Sequence, residues 1–64
     1  MPDLVSIITP MHNSSAFISE TINSVICQTY SYWEMIIIDD ASSDNSVAIV
    51  EKIINEESRI KLIK

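Results

Sequence analysis

Two polar clusters hold the residues of this sequence that could do chemistry. Thr9-Pro10-Met11-His12-Asn13 presents a flat imidazole ring next to an amide, and Asp39-Asp40-Ala41-Ser42-Ser43-Asp44 presents adjacent carboxylates followed by hydroxyls. A ring with an open face stacks on a planar ligand. A charged carboxylate that accepts a hydrogen bond from a ring N–H contributes about 1.5–3 kcal/mol. The two together suit a nucleobase with a ring N–H on its pairing edge, uracil or guanine, and disfavour adenine, which has no such donor there. Plainer uses exist for the same residues. His12 could sit in a solvated loop or cap the helix after it, and Asp40 and Asp44 could cap a second helix, whose N-terminus favours negative charge by about 0.3–1 kcal/mol.

Composition removes several other classes. The sequence has no glycine, so the glycine-rich loops that let backbone approach a dinucleotide or a triphosphate are excluded. Nine acidic residues against four basic ones give a net charge of −5, which leaves no basic stripe for a nucleic acid backbone. Apolar runs such as Met35 to Ile38 fall far short of the roughly 20 residues that cross a bilayer. The start Met1-Pro2-Asp3 lacks the charged and apolar regions of a signal peptide, and the single cysteine, Cys27, cannot form an internal disulfide. A reducing, cytoplasmic setting is the expectation. At 64 residues with 47% hydrophobic content, the chain reads as one small globular unit of marginal stability, with no repeat and no linker.

The elements that must position the two clusters follow from periodicity. Leu4-Val5-Ser6-Ile7-Ile8 is short, rich in β-branched residues and closed by Thr9-Pro10, a strand pattern. His12-Asn13-Ser14-Ser15 is rich in capping types, and Ile18, Ile22, Val25 and Ile26 then fall on one helical face that fades near Gln28-Thr29-Tyr30. Glu34 to Asp39 is apolar without alternation, the pattern of a strand covered on both faces. Ser42-Ser43-Asp44-Asn45-Ser46 precedes a second amphipathic helix marked by Val47, Val50 and Ile54 and closed by Glu56-Glu57-Ser58. Ile60-Lys61-Leu62-Ile63 suits a third strand. The predicted fold is α/β: a β-α-β-α-β unit with right-handed crossovers and a parallel sheet in the order 3-2-1, half of a doubly wound domain. Ligands of such sheets sit beyond the carboxyl ends of the strands, where this order sets the two polar clusters side by side.

Read together, Val5-Ser6-Ile7-Ile8-Thr9-Pro10-Met11-His12-Asn13, Ile22-Asn23-Ser24-Val25-Ile26-Cys27-Gln28-Thr29-Tyr30 and Trp33 through Ser46 resemble the opening of family 2 glycosyltransferases, over almost the full length and with the same spacing between blocks. The resemblance implies a GT-A, Rossmann-like nucleotide-binding fold. It also implies a chain too short to be a complete enzyme of that kind, with residues 1–64 as the N-terminal, donor-binding portion. It implies that Pro10, Met11, His12 and Asn13 lie against the nucleotide base, with His12 in the place of a stacking aromatic ring. Asp40 matches the carboxylate that bonds the base edge, and Asp39, its neighbour at the strand end, is expected with it among the nucleotide-binding residues. Family members move a sugar from a nucleotide donor, usually UDP-linked, to an acceptor hydroxyl, usually with inversion and with Mg2+ or Mn2+ on the diphosphate. Their metal-binding Asp-x-Asp and their general base belong to regions beyond the one matched here, so Asp39-Asp40 is not the metal motif. Many relatives act on acceptors at the cytoplasmic face of a membrane. Two positions depart from the usual pattern: Met11 stands where a smaller residue is common, and Ala41 replaces a frequent glycine, which constrains the loop if that position needs positive φ.

The remaining marked residues receive structural expectations. Asp44 is expected to cap the second helix. Cys27, beside the buried face of the first helix with no basic neighbour, is expected to be an unreactive thiol. Trp33 and Tyr30 are expected to pack over the helix end. A phospho-acceptor signalling domain is the alternative catalytic class, but its acidic pair follows the first strand and this one follows the second. The alternative outside catalysis is a non-catalytic nucleotide-binding or self-associating module, because the edge of the first strand and hydrophobic surface of the sheet are expected to lack cover.

Overall fold

The computed structural model describes residues 3–64, so the signal-peptide reading of Met1 and Pro2 lies outside the described residues. Strand β1 (Val5–Met11), helix α1 (Ile18–Ile26), strand β2 (Trp33–Asp39), helix α2 (Ser46–Ile54) and strand β3 (Ile60–Ile63) follow in order. The sheet is parallel with β2 in the centre, which is the expected order 3-2-1 read from the other edge. The register pairs Val5 with Trp33 and Met11 with Asp39 on one side of β2, and Met35 with Ile60 on the other.

Two successive right-handed crossovers stepping in the same direction put both helices on one face of the sheet. That face holds the core. Ile18 and Ile22 of α1 and Val50 of α2 meet Met11, Trp33, Met35, Ile37 and Ile60, all buried, with Ile7, Val25, Ile26, Val47 and Leu62 packed around them. Burying such side chains contributes about 1.5–3 kcal/mol each.

Three expectations need correction here. The expected first strand stopped at Thr9-Pro10, yet β1 runs on to Met11. Pro10 is tolerated because β1 is an edge strand, where a missing N–H need not break a ladder. Met11 is therefore the last residue of the strand and buried, not part of the loop. The unbroken apolar run of β2 suggested cover on both faces, but its burial alternates: Trp33, Met35 and Ile37 are enclosed, Ile36 is half-buried and Ile38 is exposed. The second face carries Ile8, Pro10, Ile36, Ile38 and Ile63, with a Ser6 Oγ–Glu34 Oε1 hydrogen bond of 3.1 Å, and nothing among the described residues covers it.

At the amino ends of the strands the chain is latched by Arg59. Its guanidinium lies 4.0 Å from the centre of the Trp33 ring, donates from Nη1 to the Ser31 carbonyl, and grips both oxygens of Glu57 at 2.8 and 2.9 Å. The hydrogen bonds from Arg59 hold the Glu57 carboxyl below its usual range. Trp33 is core, as expected. Tyr30 is more exposed than expected, with its hydroxyl donating to the Asp3 carbonyl, and Cys27 is exposed rather than tucked beside the core.

Candidate functional site

The carboxyl ends of β1 and β2 lie side by side, and the loops that leave them are stitched together. The stitching starts where the strands end: the Asp40 N–H donates to the Met11 carbonyl at 2.8 Å. The Asn13 N–H donates to Ser42 Oγ at 2.9 Å and the Ser43 N–H returns to Asn13 Oδ1 at 2.7 Å. The Ser14 N–H donates to Ser46 Oγ at 2.7 Å, and the Ser15 N–H to Asp44 Oδ2 at 3.1 Å. Backbone donors of the first loop thus find side-chain acceptors of the second.

Four of the five residues singled out from the sequence meet at this seam. His12 is exposed, and its Nδ1–H donates to the Asp40 carbonyl. A carbonyl can only accept, so this bond assigns the Nδ1 proton. The other ring nitrogen, Nε2, faces Asn13 Nδ2 at 3.4 Å. The Asn13 amide is itself oriented, because its oxygen already takes the Ser43 N–H. An imidazole bonded at Nδ1 and flanked by the Asn13 amide at Nε2 keeps a fixed plane and open faces. The Asp40 carboxylate is exposed and makes no hydrogen bond among the described residues. Asp39, half-buried, accepts the Ser42 N–H at Oδ2 over 3.3 Å, while its Oδ1 is enclosed without a partner among the described residues. Pro10 stands apart within β1, on the uncovered face opposite Ile38.

Two residues of the seam have backbone in the left-handed region, Asn13 at a φ of 48° and Ala41 at 53°. Asn tolerates this conformation; Ala does so at a cost of about 1–2 kcal/mol. Position 41 does require positive φ, the condition under which replacing a glycine matters.

The capping expectations resolve unevenly. The residue before α1 is Phe17, with no side-chain cap, and the Ser14 carbonyl takes the Phe17 and Ile18 N–H groups at 2.9 and 2.8 Å. No serine side chain caps α1, and the N–H groups of Ser14 and Ser15 serve the seam. The N-cap of α2 is Asn45, which makes no side-chain cap bond; Asp44, one residue earlier, reaches the helix instead through Oδ1, which accepts the Ser46 N–H at 2.9 Å and the Ser46 hydroxyl. The Ser46 hydroxyl, and then the Ser46 and Ser15 amides, hold its carboxyl well below the usual carboxylate range. Ser46 is fully buried and joins Asp44 to Ser14. Its bridging role, and that of Ser42, went unread in the sequence, where a run of serines signals only caps and turns.

A divalent ion does not fit these residues on their own. No group of three His, Cys, Asp or Glu side chains converges among the described residues, and Asp39 holds a backbone amide with one oxygen and encloses the other. No helix among the described residues is long and apolar enough to cross a membrane.

Comparisons with known proteins converge on one family. The sequence profile described as "Glycosyl transferase family 2" matches residues 6–64. The UDP-Glc:alpha-D-GlcNAc-diphosphoundecaprenol beta-1,3-glucosyltransferase WfgD of Escherichia coli is 48% identical over 60 residues, covering 94% of this chain and 23% of that protein. The glycosyltransferase GlyG of Streptococcus pneumoniae serotype 4 is 30% identical over 63 residues, covering 98% of this chain and 21% of its own length. The chain thus spans under a quarter of these relatives. Among solved structures, residues 1–349 of S. aureus TarS superpose with a TM-score of 0.83 at 32% identity, covering 95% of this chain and 18% of that one. The UDP complex of the same TarS chain gives a TM-score of 0.79 at 31% identity, over 97% of this chain and 18% of that one. The profile match, the relatives and the superposition of three parallel strands and two helices on TarS together place the chain, with its GT-A nucleotide-binding fold, in glycosyl transferase family 2.

Proposed function

We propose that this chain is the donor-base-binding portion of a glycosyltransferase that uses a nucleotide sugar, with UDP as the nucleotide. The observation that carries the reading is the fixed His12 ring hydrogen-bonded to the residue whose carboxylate, Asp40, stands exposed beside it. In this reading uracil stacks on the open face of His12 and its N3–H donates to Asp40, with Asn13 fixing the ring and Pro10 setting the approach of β1. A structural relative crystallised with UDP supports the choice of nucleotide. Transfer to an acceptor hydroxyl, with a divalent ion on the diphosphate, belongs to the whole protein in this proposal, as does an acceptor at the cytoplasmic face of a membrane. An exposed free thiol at Cys27 suits a cytoplasmic, reducing setting.

Calorimetric titration of the protein with UDP and ADP tests this directly. A charged hydrogen bond of about 1.5–3 kcal/mol corresponds to roughly 10- to 150-fold tighter binding of UDP, and Asp40→Ala should abolish that preference. Equal affinity for the two nucleotides would contradict the reading.

A second reading, self-association, has its own observation: the bare sheet face on which Ile8, Ile38 and Ile63 are 55%, 41% and 53% exposed. In this proposal two copies pack these faces together, and base binding at the strand ends is left free.

A further inference from the structure

Asp39 is adjacent to the proposed base contact, yet its geometry is that of a different role. It is the last residue of β2 and is half-buried. Its Oδ1 has no exposed surface and no partner among the described residues, so neither a base nor a phosphate reaches that oxygen. Its Oδ2 accepts the Ser42 N–H at 3.3 Å. That bond spans Ala41, the residue held at a φ of 53°, and closes the turn around it. The atoms on either side of this turn hold the first loop: the Asp40 carbonyl takes the His12 Nδ1–H, and Ser42 Oγ takes the Asn13 N–H at 2.9 Å. A change in the turn therefore moves both anchors of the His12 ring at once.

We propose that Asp39 is a positioning residue of the base site, which through Ser42 sets the Ala41 turn and with it the plane and tautomer of His12, and does not itself touch the nucleotide. The proposal rests on the base-binding reading of His12 and Asp40. A charged acceptor suits the task, because a carboxylate holds a backbone amide more strongly than a neutral oxygen does, which helps retain a non-glycine residue in the left-handed region.

The test uses two readouts on the same chain. His12 is the single histidine, so long-range 1H–15N NMR of the ligand-free protein reports its tautomer without ambiguity, and calorimetry reports UDP affinity. Asp39→Ala should lose the Nδ1–H signature and bind UDP about tenfold more weakly. Asp39→Asn keeps an oxygen for the Ser42 N–H, and should restore the Nδ1–H form and bring affinity back to within about threefold of the parent. The proposal is overturned if the Ala variant leaves both readouts unchanged. It is equally overturned if the Asn variant keeps the tautomer but loses as much affinity as the Ala variant, since Asp39 would then touch the ligand. Should the Ala variant not fold, the Asn variant decides: a retained Nδ1–H signal supports the role, a lost one refutes it. Should the parent not bind UDP, the base-binding reading fails, and the tautomer readout alone decides whether Asp39 positions His12.

Discussion

His12 and Ala41 illustrate how single residues set the character of the seam. The ring of His12 is held by a carbonyl at one nitrogen and an amide at the other, so the loop delivers a flat surface in one orientation rather than a swinging side chain. Ala41 works against the same loop, because its Cβ crowds the backbone at a φ of 53°. Ala41→Gly should relieve about 1–2 kcal/mol of that crowding and return roughly 0.5–1 kcal/mol through added freedom of the unfolded chain. The expected outcome is a gain of about 0.5–1 kcal/mol in urea denaturation. A loss of stability would mean that the turn does not need the left-handed conformation. The residue types at this scale were legible in the sequence, since a ring, an amide and carboxylates are recognisable anywhere in a chain. Their hydrogen bonds were not. Which nitrogen of His12 carries its proton depends on a backbone carbonyl 28 positions away, and no local pattern encodes that.

Strands and helices were easier to read than their ends. The stripes of α1 and α2 and the apolar runs of β2 and β3 are repeated signals, so a few ambiguous residues do not blur them. The end of β1 was misplaced because a proline usually stops a strand, and only the sheet order reveals that Pro10 stands on an edge. The cover of β2 was overestimated for a related reason: the unbroken apolar run Met35 to Ile38 looks the same whether one face or both are packed. The start of α2 carries a pH dependence that belongs to this scale. The carboxyl of Asp44 is held below its ordinary value of 3.8 by the Ser46 hydroxyl and the Ser46 and Ser15 amides. A carboxyl with a depressed value in the folded state adds stability that is fully present above its unfolded value and disappears as pH falls through the folded one. Stability should therefore decline as pH drops below about 4, and Asp44→Asn should flatten that acid limb. Parent and variant with equal acid slopes in thermal melts between pH 2 and pH 5 would count against the staple.

For the whole molecule, the asymmetry of the sheet is the governing feature. One face buries Trp33, Met35 and Ile37 under two helices, and the other exposes a patch centred on Ile8, Ile38 and Ile63. Exposed apolar patches of this kind mark interaction surfaces. If two copies cover it, sedimentation velocity should give a dimer or larger species that Ile38→Lys converts to monomer. A parent that stays monomeric at high concentration would dismiss self-association without touching the base site. The sequence indicated both the half-wound topology and the convergence of the two polar clusters, because order and connection length leave little choice of handedness. It did not reveal that the loops bond to each other across the strand ends, a property of the assembled sheet.

Whether the loops leaving β1 and β2 hold a uracil nucleotide is decided by amide NMR of the 15N-labelled protein titrated with UDP. Saturable shifts are expected at His12, Asn13 and Asp40 through Ser43, with β3 and the Arg59 latch unmoved. Shifts confined to β3 and α2, or none at saturating UDP, would contradict uracil binding there.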